Sequence, residues 1–261
     1  MIGFLIKKTF YDLWDNMFKI VILNLGFLAC TAIPVFLPQL FAMFIDSIVV
    51  EIIITAIGIL ACSIYLSAAS LVIKSISDYS SFTFMEFLKS FKNAWPAGLV
   101  MGFFVFLLFL VFTVILPFYL EIENPIVGIA LAAIIFWTAL FAILSSQFYF
   151  TVIARLNPSI RKAVKKCMLI SMDNTGMSIF LLIHNIIALV ISAVFVFLFP
   201  GPVGLLLYLD EALRLRLLKY DWLEANPEAD RRKIPWDALL IEERERTGSR
   251  TFRNFIFPWK D

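Results

Sequence analysis

The residues of this 261-residue chain with the strongest claim to chemistry are charged groups set in an apolar stretch. Asp210, Glu211, Arg214 and Arg216 follow nine residues of apolar sequence that begin at Gly201. Ionisable groups are costly inside a membrane and mark either a proton or ion path or a pair that neutralises itself. Asp210 and Arg214 are four apart, the spacing that brings side chains together on one helix face. If Pro200 to Pro202 forms an outer turn, Asp210 lies eight residues below it, about 12 Å down at 1.5 Å per residue. Two readings follow: a polar route for an ion or substrate, or a self-paired cluster that faces the bundle.

A second candidate is His184 with Asn185, the chain's one histidine and its neighbour, placed mid-way along another apolar stretch. A lone imidazole can relay protons. Metal binding would need more ligands than the nearby sequence offers. A structural role, hydrogen-bonding across helices to Asn24 or Gln147, is the alternative. Gly98 and Gly102 form a GxxxG pattern, which permits close approach of two helices either between copies of the chain, giving a homodimer, or within one bundle. The three cysteines, Cys30, Cys62 and Cys167, have neither disulfide nor metal spacing and read as small packing residues. HExxH, GxSxG, GxxxxGK[ST] and GxGxxG are absent, so no catalytic residue, cofactor or metal site is assigned and no enzyme is expected.

The elements that must position these residues are set by the distribution of charge. The 22 Lys and Arg residues fall into four blocks: Lys7, Lys8 and Lys19; Lys74, Lys89 and Lys92; Arg155, Arg161, Lys162, Lys165 and Lys166; and eleven from Arg214 to Lys260. Between them lie long stretches without a single cation. Basic residues are retained on the cytoplasmic side, so the pattern describes a polytopic membrane protein with a basic inside. Asp46, Glu51, Glu121 and Glu123 belong to the other side. A composition that is 61% hydrophobic, with 28 Phe, agrees with lipid as the solvent. The cations are accounted for by topology, and no nucleic-acid motif accompanies them.

The expected fold is all-α: a six-span helical bundle over residues 1–218, with spans at 18–37, 48–73, 95–119, 125–153, 175–199 and 201–218. Six spans keep both termini cytoplasmic, with turns near Gln39, Asn124 and Gly201 outside. The first span is expected to remain uncleaved. Short amphipathic helices should lie in the cytoplasmic interface before the odd-numbered spans. One is announced by the capping box Thr83 to Glu86 and the apolar positions Phe84, Phe87, Leu88 and Phe91. Asn16, Asn93 and Asn174 are placed to cap the helices that follow. Residues 219–261 form a cytoplasmic tail with a helix over 236–247, framed by Pro235 and Gly248. At its end Phe252, Phe255, Ile256, Phe257 and Trp259 are expected to dock on an apolar surface.

With these features in place, the chain resembles the YesL-like family of bacterial membrane proteins. The resemblance lies in Asn24 to Leu28 ahead of Pro34, in Phe91 to Trp95, and in Tyr149 to Arg155 followed by Ser159 to Val164. It covers about residues 1–218 and departs at Val35 to Pro38, where the family carries a turn rich in Thr and Gly. The resemblance implies a bundle in a bacterial inner membrane, encoded near carbohydrate importers of the ATP-binding cassette type, and brings no catalytic residue. The function expected is that of an accessory or assembly protein for another membrane system. A small transporter or channel that uses the ionic cluster is the alternative.

Overall fold

The computed structural model describes residues 1–44, 47–230, 233–248 and 250. The regular structure of these residues is entirely helical. Among the described residues five helices are long and apolar enough to cross a membrane: Met17–Ala42, Ile48–Ser77, Phe84–Leu120, Pro125–Leu156 and Thr175–Val194. By length and composition they are consistent with a multi-pass membrane protein.

In chain order, α1 (Ile2–Asp15) leads into α2 (Met17–Ala42) and α3 (Ile48–Ser77). Next comes α4 (Phe84–Leu110), which passes through a π-helical turn at Val111–Ile115 into α5 (Leu116–Leu120). Then follow α6 (Pro125–Ser146), α7 (Tyr149–Leu156), α8 (Ile160–Asp173), α9 (Thr175–Val194) and α10 (Gly201–Ala225), with α11 (Trp236–Leu239) and α12 (Ile241–Thr247) in the tail.

Several expectations are corrected here. The capping box at Thr83 and Glu86 is present, with both reciprocal hydrogen bonds. The helix it opens does not stop at Phe91, however, but runs unbroken to Leu110. Pro96 does not interrupt it. A segment expected to lie in the interface by itself is therefore the first part of a long helix. Neither Asn16 nor Asn174 caps with its side chain, and Asn93 is interior to α4. Asn124 does cap, accepting from Ile126 and Val127. The 236–247 helix is split at Leu240 into α11 and α12, and Leu240 is fully buried in the main core. Phe252, Phe255, Ile256, Phe257 and Trp259 lie outside the described residues.

The α3–α4 pair is the framework. Small residues let the two backbones approach along their length: Gly98 faces Ile64, and Gly102 faces Leu60 and Ser63. The Ser67 hydroxyl donates to the Ala94 carbonyl (2.9 Å) and Ser90 to the Ala68 carbonyl (3.0 Å). The GxxxG pattern is thus used inside the bundle, as close contact between small residues and hydroxyl-to-carbonyl bonds replace the hydrophobic effect that lipid cannot supply. A methyl carbon on Gly98 would collide with the Cα of Ile64, and one on Gly102 would stand 3.0 Å from the Cα of Leu60. Replacing Gly98 by Leu is expected to destabilise the bundle by about 1–3 kcal/mol through overpacking. Thermal unfolding in detergent, compared with a lipid-facing control such as Val114→Leu, measures it.

Candidate functional site

The candidate site is a buried ionic hub at the C-terminus of α3. A helix this long ends in unpaired carbonyls and a partial negative charge, which attract cations. Here Lys8 from α1 donates to the Ser77 carbonyl (3.2 Å), and the Arg214 guanidinium from α10 donates to the same oxygen. The chain leaves the helix through Tyr79, at φ 57°, with Tyr79 N–H bonded to the Ile76 carbonyl and Ser80 N–H to the Ser75 carbonyl. This is a Schellman closure, in which the left-handed position is ordinarily glycine. A tyrosine there is strained by its Cβ, and its ring makes up the difference. It lies under Lys8 (4.3 Å), Arg214 (5.4 Å) and Arg246 (5.6 Å), and its hydroxyl bonds to the Glu243 carboxylate (2.7 Å). Burial pushes the Tyr79 phenol up to about 12, so it stays neutral and keeps its donor at physiological pH.

Around this end, charges pair across five helices. Lys8, 2% exposed, binds Asp12 (2.5 Å) and Glu211 (3.3 Å), and the Thr9 hydroxyl donates to the other oxygen of Glu211. Burial alone would depress the Lys8 pKa, but Glu211 and Asp12 outweigh it and raise it, so the ammonium remains charged. Arg155 from α7 bridges Asp210 (2.5 Å), Asp78 (3.1 Å) and the Ser77 hydroxyl (2.7 Å). Arg214 binds Asp78 (2.9 Å) and Glu243 of α12 (2.6 Å). The tail helix is thereby fastened to the bundle, with Leu240 buried beside the ions and Lys7 donating to the Gly248 carbonyl (3.3 Å).

The expected Asp210–Arg214 pair does not form. Its four-residue spacing is correct, but Asp210 turns towards α7, where Arg155 meets it, and Arg214 towards α3 and the tail, where the Ser77 carbonyl, Asp78 and Glu243 accept from it. Arg155, Tyr79, Asp78 and Glu243 are hub residues that sequence reasoning does not single out. In the sequence Arg155 marks topology and ends a stretch that carries the family resemblance, and nothing near it names its partners.

The turn before α10 sets where Asp210 lies along the bundle. Asn24 donates to the carbonyls of Leu198 (3.0 Å) and Pro200 (2.7 Å) and accepts from Val203 N–H (2.9 Å). Gly201, at φ 64°, packs directly on the Asn24 amide, and no side chain would fit there. The turn before α10 is therefore held seven residues into α2, about 10 Å from its start, with eighteen residues or about 27 Å of α2 beyond it. Asp210 lies beside the end of α3, joined to it through Arg155.

α9 and α10 are held as an antiparallel hairpin at three heights. Asn174 donates to the Tyr220 hydroxyl (2.6 Å), His184 stacks on Tyr208 (3.7 Å between centroids, 16° between planes), and Gly201 N–H donates to Ser192 (3.0 Å). His184 thus packs by its face, with neither Asn24 nor Gln147 as its partner. Gln147 donates instead to the Ser178 carbonyl (3.0 Å). Asn185 follows on α9 with its side-chain oxygen buried and without a hydrogen-bond partner among the described residues. Among those residues there is no cluster of three or more His, Cys, Asp or Glu side chains able to hold a metal ion. Cys30, Cys62 and Cys167 are free thiols.

Comparison with protein-family models, with curated proteins and with solved structures finds no match. The geometry itself predicts a thermodynamic signature. Arg155→Met should cost about 3–5 kcal/mol, since it leaves the Asp210 carboxylate buried without its cation. Combining it with Asp210→Asn should recover a large part of that loss. Denaturation of the single and double variants in detergent gives the coupling, and additive losses would mean that the two groups act independently.

Proposed function

We propose that the chain is a non-catalytic integral membrane protein whose role is contact: an accessory or assembly component for another system in a bacterial inner membrane. One observation carries this reading. The buried acids and bases pair with one another and with Tyr79, and in doing so join the tail helix to the bundle. A hub of this kind fixes the shape of a cytoplasmic face, which is what a docking protein requires. The partner class carried by the YesL-like resemblance, a carbohydrate importer, belongs to the same proposal.

In this reading α2, α3, α4–α5 and α6–α7 cross the bilayer. The α9–α10 hairpin enters from the cytoplasmic side and turns back at the level of Asn24, in place of the two full passages expected from hydropathy. Both chain ends then lie on the cytoplasmic side with the cations. Single cysteines introduced in a variant free of native thiols test the arrangement. Gln39→Cys and Asn124→Cys should react with an impermeant maleimide added outside intact cells, and Val196→Cys should not. Labelling of Val196→Cys from outside would mean that the hairpin crosses fully.

The functional claim is tested by cross-linking in cells and identification of what copurifies with the tagged full-length protein. A membrane complex recovered at stable stoichiometry, and lost when Arg214→Ala loosens the tail helix, is the expected result. Ion or solute flux in proteoliposomes that is abolished by Asp210→Asn in a correctly folded protein would replace this reading with transport.

A further inference from the structure

The helices α4 and α6 meet at one end only. Near the outer turn α5 packs on α6, and Gly128 is pressed against the Tyr119 carbonyl. Towards the cytoplasmic end the two diverge and leave a cleft of about 230 Å³, closed below by α7 and α8. Its walls include Phe104 and Leu107 from α4 and Ala142 from α6, with Cys167 from α8 at the floor. Its wall is almost wholly apolar: the Ser145 and Tyr149 side chains contribute to it, while their hydroxyls are buried away from the opening, without a hydrogen-bond partner among the described residues.

The rim supplies the second half of the argument. α8 lines the cleft with Val164, Cys167 and Met168, while Arg161, Lys162, Lys165 and Lys166 are exposed on the same short helix. None of these four cations forms a salt bridge among the described residues, in contrast to Lys8, Arg155 and Arg214. Arg161 and Lys165 are within one turn of Val164 and Met168, so their charges border the mouth. An apolar slot inside the bilayer and unneutralised cations at its cytoplasmic edge fit one molecule. We propose that this cleft binds an anionic phospholipid of the inner leaflet, with an acyl chain between α4 and α6 and the phosphate against Arg161 and Lys165. The same charges would draw a zwitterionic lipid less, since its headgroup carries no net charge to neutralise.

Native mass spectrometry of the full-length protein, with phosphatidylglycerol and phosphatidylcholine of identical chains, tests this. The wild type should retain phosphatidylglycerol in preference. Arg161→Gln with Lys165→Gln, both on an exposed face, should weaken phosphatidylglycerol by about 30-fold, at about fivefold per cation, and leave phosphatidylcholine unchanged. Ala142→Phe, which fills the slot, should remove both lipids while the thermal unfolding temperature is kept. Equal retention of the two lipids by the wild type would overturn the proposal. So would a preference that survives loss of both cations, or retention that survives filling of the cleft; if Ala142→Phe fails to fold, the charge variants decide.

Discussion

A charge removed from water must find an opposite charge or a row of hydrogen bonds, and the end of this molecule around the C-terminus of α3 is arranged around that requirement. The end of α3 provides carbonyl oxygens and the Asp78 carboxylate. Lys8, Arg155 and Arg214 arrive from three other helices, and each also meets an acid from a different helix: Glu211, Asp210 and Glu243. No helix in this set could be withdrawn without leaving an unpaired ion at a cost of several kcal/mol. The constraint fixes the relative placement of α1, α3, α7, α10 and α12 more sharply than apolar packing in lipid could, because lipid competes equally for apolar side chains.

Tyr79 shows how local strain and long-range contact are balanced. Its left-handed backbone is unfavourable for a residue with a Cβ, yet the closure of α3 requires that conformation. The ring that causes the strain is also the surface on which Lys8, Arg214 and Arg246 gather, and its hydroxyl reaches the tail helix. Glycine would close the helix at lower conformational cost and leave the hub without its centre.

Two kinds of polar residue divide the remaining work. Serines and glycines on α3 and α4 hold the framework through close backbone approach and short hydroxyl bonds. Asn24 completes the turn before α10 with three hydrogen bonds that would otherwise be missing from buried backbone. It thereby sets where along α2 the α9–α10 hairpin turns. The exposed cations of α8 are outside both systems and form no salt bridge among the described residues.

Much of the helical layout was legible in the sequence because its causes are local or additive. Apolar length marked the long helices, the Thr83 capping box marked the start of α4, and Gly98 with Gly102 marked a close helix contact. Asp210, Glu211 and Arg214 were recognisable as special because a charge in an apolar segment needs no partner to be conspicuous. Their partners were not legible, since Arg155 reaches Asp210 across 55 positions and Lys8 reaches Glu211 across 203. A spacing of four residues permits a pair, but the choice among competing ions depends on which helix ends are brought together. The same holds for Asn24, whose role depends on a turn about 175 residues away. Periodicity and hydropathy determined which segments are helical and apolar; only the tertiary structure decided where along α2 the helix α10 begins and which charges meet, because those are settled by satisfying buried polar groups across distant segments at once.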